Sequence, residues 1–392
     1  MLYKILRKKL TSALQNNYFS IESDISKQRF SLKKYLFCSQ NKKVIFMQES
    51  NTSKRKKDHI ELCLSDNVAF KTKTNGFENY EFEHYAITEV EFDKIDLSTR
   101  FLKKKIKYPF LISCMTGGTE EAERINEKLA IAANKLQIPI GVGSQRQALE
   151  DKKFHSTYRV VRKNAGNVPI LGNIGAAQVA KSKKIIDEIK LLINLVEADG
   201  MVIHVNPLQE LLQTEGEPEF KGLIKNIEKI CSKIKTPVIV KEVGSGISKI
   251  TAKKLLEAGV QGIDVSGAGG TSWAAVELRR SDKEDNYFQE WGLPTSYCVR
   301  KVKELKKDFD FTLISSGGIS NGVDIAKSIV LGADLTASAR IILQEVMKND
   351  INGVVELIQS WFLTVKRIMY LTGCKDIKSF KKVGLIRKEE MY

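Results

Sequence analysis

Eight short apolar runs after residue 108 constrain the fold of this chain more than any other feature. They occupy residues 109–114, 138–142, 168–172, 200–205, 237–243, 260–265, 311–315 and 333–338. Longer amphipathic segments separate them, such as 120–136, 221–234 and 248–258. Continuous apolar strands that alternate with helices indicate a buried parallel sheet. Eight repeats within about 230 residues favour an α/β fold of the closed (β/α)8 type, the TIM barrel, over an open sheet.

The positive charge of the chain is concentrated at its N-terminus. The net charge is +16, and residues 1–57 contain 14 Lys or Arg against 3 Asp or Glu, whereas the rest of the chain contains 49 against 44. A protein that binds nucleic acid more often carries its basic side chains across the folded body. We therefore expect no nucleic-acid partner. No apolar run approaches the roughly 20 residues that span a bilayer, so we also expect no membrane span.

Residues 1–53 are predicted to be an extension, and residues 54–392 the barrel domain. The first 21 residues contain no acidic side chain. Five apolar residues recur at helical spacing among basic ones: Leu2, Ile5, Leu6, Leu10 and Leu14. This pattern is typical of an organelle-targeting presequence. A disordered leader, or a start of translation at Met47, would account for the segment equally well.

Polar and glycine residues follow the predicted strands where the strands end. From the first strand to the seventh they are 115–118, 143–146, Asn173, 204–206, 241–242, 266–267 and 316–318. In a barrel all these points lie on one face, which is where active sites of such barrels are built. The sequence therefore predicts a single site at the carboxyl ends of the strands.

Glycines in two late loops, 267–270 and 317–318, predict a phosphate site within that face. Main-chain N–H groups without a Cβ, next to a helix N-terminus, form a cradle for phosphate. Glycine also serves tight turns, so either loop alone would be weak evidence. The occurrence of both favours the phosphate site.

Lys241 ends an apolar strand, where a buried lysine is costly without an anionic partner. Composition is compatible with two roles for this lysine: it could form a Schiff base, or it could pair with an anionic cofactor. A basic cluster lies before the barrel and consists of Arg55, Lys56, Lys57, Asp58 and His59. Such a charge run is usually a solvated surface, yet Arg and Lys together also recognise diphosphate well.

The segment 204–210, HVNPLQE, is rich in ligand-type residues. A lone histidine is most often part of the core, but Asn206, Gln209 and Glu210 beside His204 favour a site. Glu210 is the only carboxylate of the segment. A metal ion held there would take its other ligands from phosphate oxygens and water, which suits Mg2+.

Several of these segments resemble, in order, the motifs of type 2 isopentenyl-diphosphate isomerases, a flavoprotein family with a TIM barrel. The resemblance covers about residues 54–343. The matching stretches are RKKDHI at 55–60, MTGG at 115–118, GSQR at 143–146, HVNPLQE at 204–210, VKEVG at 240–244 and DVSGAGGTSW at 264–273. Independent blocks in the same order make the likeness specific.

The resemblance implies a complete set of site residues. The expected contacts of FMN are Met115, Thr116, Gly117, Ser144, Asn173, Lys241, Ser266, Thr271, Gly317 and Gly318. The expected contacts of the substrate are Arg55, Lys56, Ser144, Gln145, Arg146, Gln209 and Trp273. Glu210 would hold Mg2+ on the diphosphate. Gln209 is the expected catalytic side chain, with His204 and Asn206 beside it, and Lys241 lies by the flavin ring instead of forming a Schiff base.

The implied reaction interconverts isopentenyl diphosphate and dimethylallyl diphosphate by a 1,3-proton shift. It uses reduced FMN as the acid–base partner, Mg2+, and NADPH as the reductant of the flavin. The resemblance also implies a homotetramer or homo-octamer. We expect a cytoplasmic protein, with an organelle left open by the extension.

An α-hydroxy-acid oxidase is the nearest alternative, because it uses a similar FMN barrel. Such oxidases carry a late His-x-x-Arg motif, and this chain has no histidine after His204. The sequence departs from the isomerase pattern at Arg340, where a small residue is common next to the flavin phosphate. An arginine there could pair with the phosphate or crowd it.

Overall fold

Eight parallel strands close into a barrel in the computed structural model, which describes residues 51–65, 68–281 and 285–391. The described residues contain twelve strands: β1 (Tyr80–Phe82), β2 (Thr99–Phe101), β3 (Lys104–Ile106), β4 (Phe110–Ile112), β5 (Ile140–Gly141), β6 (Ile170–Gly175), β7 (Gly200–Val205), β8 (Val238–Glu242), β9 (Gly262–Asp264), β10 (Thr312–Ser315), β11 (Leu335–Ser338) and β12 (Leu385–Arg387). Strands β4–β11 form the barrel in chain order, and β11 closes the ring by pairing with β4.

Helices cover the outside of the barrel and extend from its carboxyl face. The described residues contain fifteen α-helices: α1 (Asn51–Leu64), α2 (Glu120–Leu136), α3 (Arg146–Glu150), α4 (Ser156–Asn164), α5 (Ala176–Lys181), α6 (Ile185–Val196), α7 (Pro207–Leu212), α8 (Leu223–Lys233), α9 (Lys249–Glu257), α10 (Trp273–Arg280), α11 (Asn286–Gln289), α12 (Thr295–Lys303), α13 (Gly322–Leu331), α14 (Arg340–Leu371) and α15 (Ile377–Phe380). The long helix α14 is kinked at Asp350.

The predicted (β/α)8 barrel is confirmed: seven of the eight apolar runs contain one barrel strand each, and the run 168–172 overlaps β6, which continues to Gly175. Most strands are shorter than the predicted runs, as where residues 260–265 contain the three-residue strand β9. The predicted helix 120–136 coincides with α2. Thr119 caps this helix by accepting a hydrogen bond from the N–H of Ala122. Three glutamates in its first turn stabilise the helix by interacting with the positive end of its dipole.

A hairpin of β2 and β3 closes the amino end of the barrel. Phe101 and Ile106 of this hairpin belong to one buried cluster with the inward-facing side chains of the barrel strands. Those strand residues are Leu111, Leu171, Val202, Ile239, Ile314, Leu335 and Ala337. The interior of the barrel is therefore packed at this end, and a cavity opens toward the carboxyl ends of the strands.

Residues 1–50 of the predicted extension, 1–53, lie outside the described residues. Helix α1 begins at Asn51. The same holds for the apolar pattern from Leu2 to Leu14. Within the part of the chain that the structure describes, no helix is both long enough and apolar enough to cross a membrane.

Candidate active site

A cavity of about 420 Å³ lies at the carboxyl face of the barrel. The structure brings to its wall nearly all of the residues that the sequence predicted for the site. They are Arg55, Lys56, Met115, Thr116, Gly117, Ser144, Arg146, Asn173, His204, Asn206, Gln209, Glu210, Lys241, Ser266, Thr271, Trp273, Gly317 and Gly318. Loops after all eight barrel strands and helix α1 contribute to the wall, so the cavity depends on the closed fold.

The period of the strands explains why these side chains point inward. Successive side chains of a strand alternate between its two faces. Leu171, Val202 and Ile239 lie in the buried cluster inside the barrel. Two residues further along the same strands are Asn173, His204 and Lys241, which therefore face inward one layer closer to the open end. The apolar core and the polar site are successive layers of one barrel.

Helix α1 covers the cavity with one face. Arg55, His59 and Cys63 recur every four residues and all line the cavity, together with Lys56 and Ile60. Residues four apart lie on the same side of a helix. Arg55 and Lys56 of the basic cluster are therefore part of the cavity wall, whereas Lys57 is exposed.

Lys56 joins α1 to the loops that follow β4 and β5. Its Nζ donates to the carbonyl oxygens of Gly117 and Ser144, the latter at 3.3 Å, and to the hydroxyl of Tyr158 at 3.2 Å. Burial, reinforced by the charge of Arg55, lowers the pKa of Lys56 to about 7. To contact a diphosphate as predicted, Nζ would have to break hydrogen bonds with these protein acceptors and form new ones with phosphate oxygens.

A buried carboxylate that the sequence analysis missed, Glu277 of α10, lies beside Gln209. Its Oε1 accepts from Gln209 Nε2 at 2.8 Å and from His59 Nε2 at 2.9 Å, and its Oε2 accepts from Arg280 at 2.7 Å. Burial alone would raise the pKa of Glu277, but the hydrogen bonds and charges of these partners bring it below its usual value. Glu277 is thus an ionised acceptor at the cavity wall.

The amide of Gln209 is fixed from both sides. Its Nε2 donates to Glu277, and its Oε1 accepts from Asn206 Nδ2 at 3.0 Å. The side-chain amide of Gln213 also bonds two neighbours when its N faces Glu277 and its O faces Arg55. It then donates to Glu277 at 3.2 Å and accepts from Arg55 at 3.0 Å. These bonds connect α1, α7 and α10 around the predicted catalytic side chain.

His204 is held as a neutral imidazole. Burial, reinforced by the charge of Lys241, lowers its pKa to about 4. Nδ1 lies 2.9 Å from Asn173 Oδ1, and the Nδ2 of the same amide donates to the carbonyl of Val142. Because the amide oxygen only accepts, the proton of the ring is on Nδ1. Nε2 is then an acceptor, and not a proton donor, at neutral pH.

Lys241 projects inward from β8. Its Nζ donates to Ser266 Oγ at 3.0 Å and to the carbonyl of Glu242 at 2.6 Å. Neither hydrogen-bond partner is a carboxylate, although the charge of Lys241 also acts on the buried carboxyl groups of Glu242 and Asp264. This environment suits an anionic or electron-rich ring atom.

Glu210 and Asn206 place oxygen ligands at one end of the cavity. The carboxylate of Glu210 accepts from Asn206 Nδ2 at 3.0 Å and from the main-chain N–H of Glu217 at 2.8 Å. The Oδ1 of Asn206 is buried without a hydrogen-bond partner in the described residues. Oxygen donors of this kind fit Mg2+. Among the described residues, no group of three or more His, Cys, Asp or Glu side chains is placed to hold a metal ion.

The glycine loops after β9 and β10 and Arg340 after β11 line another part of the cavity. Gly317 and Gly318 have φ values of +98° and +73°, which favour glycine, and a Cβ at Gly318 would come within 2.6 Å of the carbonyl oxygen of Gly269. Part of the requirement for glycine is therefore close packing of the two loops. Arg340 begins α14 and lines the cavity, and its Nη1 is buried without a hydrogen-bond partner in the described residues. A phosphate group of FMN fits this unpaired donor.

Gln145 is the one predicted site residue that does not line the cavity. Its side chain is fully buried. Oε1 accepts the main-chain N–H of Asn173 at 2.9 Å, and Nε2 donates to the carbonyl of Leu192 at 3.1 Å. Both ends of the amide bond the main chain, which gives Gln145 a role in joining the loop after β5 to β6.

The fold and the cavity define an FMN-dependent enzyme barrel. The family described as FMN-dependent dehydrogenase matches residues 48–159 and 191–387 of the chain. A mandelate oxidase with benzaldehyde has a TM-score of 0.61 at 15% identity over 85% of this chain and 94% of that one. A flavocytochrome b2 variant with sulfite has a TM-score of 0.60 at 17% identity, covering 81% and 78%. At such low identity these two structures show the shared fold alone.

Curated relatives narrow the class further. The isopentenyl-diphosphate delta-isomerase of Pelodictyon phaeoclathratiforme is 44% identical over 355 residues, which cover 86% of this chain and 98% of the relative. The protein of the same name from a Nostoc species is 41% identical over 344 residues, covering 86% and 97%. The chain belongs to the isopentenyl-diphosphate delta-isomerase family, and the resemblance indicated by its motifs is confirmed.

Two residues near Gln209 were not predicted from the sequence, Glu277 and Arg280. His59 was predicted only as a member of the basic cluster, and its helical spacing could have indicated that it shares a face with Arg55. Glu277 is the one charged residue in the otherwise apolar stretch Ala274–Leu278 of α10. A charged residue in such a stretch is the sequence feature that could have indicated a buried site residue.

Proposed function

We propose that this protein interconverts isopentenyl diphosphate and dimethylallyl diphosphate by a 1,3-proton shift with reduced FMN and Mg2+. One observation supports this most directly: one cavity has an unpaired guanidinium nitrogen of Arg340 on one side of the barrel and oxygen donors of Glu210 and Asn206 on the other. Arg340 follows β11, whereas Glu210 follows β7, four strands away in the ring of eight. One end suits the phosphate of FMN, and the other suits a metal-bound diphosphate.

The residues proposed to hold FMN are those of the cavity floor and the glycine loops. They are Met115, Thr116, Gly117, Ser144, Asn173, Lys241, Ser266, Thr271, Gly317 and Gly318, to which we add Arg340. FMN in its reduced form supplies an acid–base group at the face of the substrate. Lys241 would place its charge beside the ring, and Arg340 would pair with the phosphate.

The diphosphate would bind between α1 and the loops after β5 and β7. Arg55 and Glu210 line this part of the cavity, and Glu210 with Asn206 would hold Mg2+ on the diphosphate. Arg146 now pairs with Glu150 at 2.9 Å and with Glu217 at 3.2 Å. Substrate binding would therefore require Arg146 to exchange carboxylate partners for phosphate oxygens, a change that conserves its charge pairing.

Gln209 is the side chain that we propose assists proton transfer at the alkene. Its amide is oriented by Asn206 and Glu277, so its position is set before the substrate binds. Trp273 and His59 make an edge-on ring contact at 5.0 Å beside it, and Trp273 lines the cavity. His204, neutral and fixed by Asn173, would accept a hydrogen bond in the same pocket.

The assembly, location and reductant are proposed from the family resemblance. We propose a cytoplasmic homotetramer or homo-octamer, with NADPH as the donor that reduces the flavin and residues 1–53 as an extension of the barrel domain. The match to the FMN-dependent family begins at residue 48, close to that boundary. The mass of the purified full chain in solution tests the assembly, since a monomer would contradict it.

Nuclear magnetic resonance of the product tests the proposed activity. Purified protein with FMN, Mg2+ and dithionite should convert isopentenyl diphosphate into a compound with two allylic methyl groups. In parallel, the oxidised protein is given 2-hydroxy acids under air. Formation of hydrogen peroxide from a hydroxy acid, without isomerisation, would make the protein an oxidase and contradict the proposal.

A further inference from the structure

Arg280 contacts three carboxylates from three separate segments. Its Nη1 donates to Glu277 at 2.7 Å, its Nη2 donates to Glu215 at 2.7 Å, and its Nε lies 3.6 Å from Asp58. The side chain is 13% exposed. Asp58 belongs to α1, Glu215 to the segment after α7, and Glu277 to α10. The planar guanidinium is suited to such multiple pairing in a way that a lysine ammonium is not.

The three segments carry the residues that surround the alkene end of the cavity. Helix α1 presents Arg55 and His59, α7 presents Gln209, and α10 begins with Trp273. Contacts of Arg280 are made on the side of these segments away from the cavity, because Arg280 itself does not line the cavity. The residue therefore acts on the site through its neighbours.

Without Arg280 the three carboxylates would face one another with too little positive charge. Glu277 is fully buried, and a buried carboxylate is costly unless it is paired. The other ionisable groups around it are His59 and Cys63 of α1, with Asp58, Glu215 and Arg55 beyond. Of these, His59 is positive only when it is protonated, and Arg55 is linked to Glu277 only through Gln213. Repulsion would then favour movement of α1 away from α10 or protonation of Glu277.

We propose that Arg280 is a positioning residue that holds α1 over the cavity and keeps Glu277 as the acceptor for Gln209 and His59. The inference rests on the proposed function, because that function places Gln209 at the alkene. It assigns two separable effects to one side chain. The contact with Asp58 fixes the position of Arg55 for the diphosphate, and the contact with Glu277 fixes the amide of Gln209.

The two effects predict different kinetic changes. Asp58→Asn removes the contact with α1 and leaves the pair with Glu277, so the KM for isopentenyl diphosphate should rise about tenfold with kcat nearly unchanged. Arg280→Gln should raise KM and also lower kcat about 100-fold, because the orientation of Gln209 is lost. The acid limb of the pH profile of kcat should move upward by about one unit, since Glu277 loses its permanent cation. Arg280→Lys should recover most of kcat.

Limited trypsin digestion gives a readout that needs no turnover. The rate of cleavage after residues 54–57 of α1, followed by mass spectrometry of the full-length protein with FMN bound, should rise several-fold in Asp58→Asn and Arg280→Gln. Arg279 is exposed on the same helix and provides the matched control, Arg279→Gln, which should equal the wild type. If Arg280→Gln does not fold, Asp58→Asn and Arg280→Lys carry the comparison.

The outcomes separate this inference from the proposed function. A wild-type protein that does not isomerise isopentenyl diphosphate overturns the function, whereas faster cleavage of α1 in the variants still supports the holding role. Wild-type isomerisation with an unchanged KM in Asp58→Asn overturns the link to α1. An unshifted pH profile in Arg280→Gln, or kinetics equal to those of Arg279→Gln, overturns the link to Glu277.

Discussion

Gln209 donates its amide N–H to Glu277 at 2.8 Å, although 68 residues separate the two in sequence. The bond crosses from α7 to α10, which follow different strands of the barrel. Asn206 holds the other end of the amide. The protein thus dictates which atom of Gln209 points to which side. A side chain fixed in this way loses little freedom when a substrate binds beside it.

Replacement of this carboxylate should reduce turnover while leaving the flavin bound. In Glu277→Gln the new amide offers one acceptor where the carboxylate accepts four hydrogen bonds, so Gln209 and His59 compete for it. We expect kcat to fall about 100-fold, as for loss of a charge-assisted buried hydrogen bond. Steady-state kinetics and the visible spectrum measure both parts. Glu257→Gln, at an exposed site on α9, is the control; equal kcat values in the two variants would contradict the role of Glu277.

Glu210→Gln should raise the Mg2+ concentration needed for half-maximal activity at least tenfold. The carboxylate follows β7, four strands from the strand that precedes Arg340, so FMN should stay bound with an unchanged spectrum. Titration of activity with Mg2+ checks the first part. A neutral substitution at the exposed Glu219 should leave the titration as in the wild type. A colourless protein, or a titration that does not move, would count against this division of the site.

Lys56 should make the free energy of unfolding depend on pH. Its pKa is lowered to about 7 in the folded protein, below the value of 10.5 for a free lysine. Between these values the unfolded chain binds more protons at this residue, so the free energy of unfolding rises with pH in that window. Urea unfolding at pH 7 and pH 9 should show a smaller rise in Lys56→Met than in the wild type. The exposed Lys57→Met should behave as the wild type, and the same rise in all three proteins would refute the assignment.

Two truncations test the boundary of the catalytic domain. Deletion of residues 1–46 should leave activity within about twofold, whereas deletion of 1–57 should abolish it. The longer deletion removes Arg55 and Lys56 from the cavity wall, and the match to the FMN-dependent family begins at residue 48. Turnover of both purified proteins is compared with that of the full chain. Equal loss in the two would show that the extension belongs to the enzyme.

The fold followed from the sequence because one physical rule covers every strand. A strand buried on both faces must be apolar throughout, so β7 and β8 were visible as runs, and the polar residues at their ends were necessarily at one face. His204 and Lys241 could be placed on this basis. Glu277 and Arg280 could not be placed in this way, because no comparable rule says which residues of a helix face the site. Their partners lie on α1 and on or just after α7. Gln145 shows the converse: it lies in a matching motif, but its amide is used by the main chain.

The most direct test of the proposed reaction counts the molecules of product formed per flavin in the absence of oxygen. The substrate and product are isomers, so the reaction has no net change in electrons, and reduced FMN is needed without being consumed. The enzyme is reduced once with dithionite and then given isopentenyl diphosphate and Mg2+, with no further donor. We predict many molecules of dimethylallyl diphosphate per flavin, and NADPH that serves only for the first reduction. Product formation that stops at one molecule per flavin, or NADPH that disappears one for one with product, would contradict the central claim and make the protein a reductase.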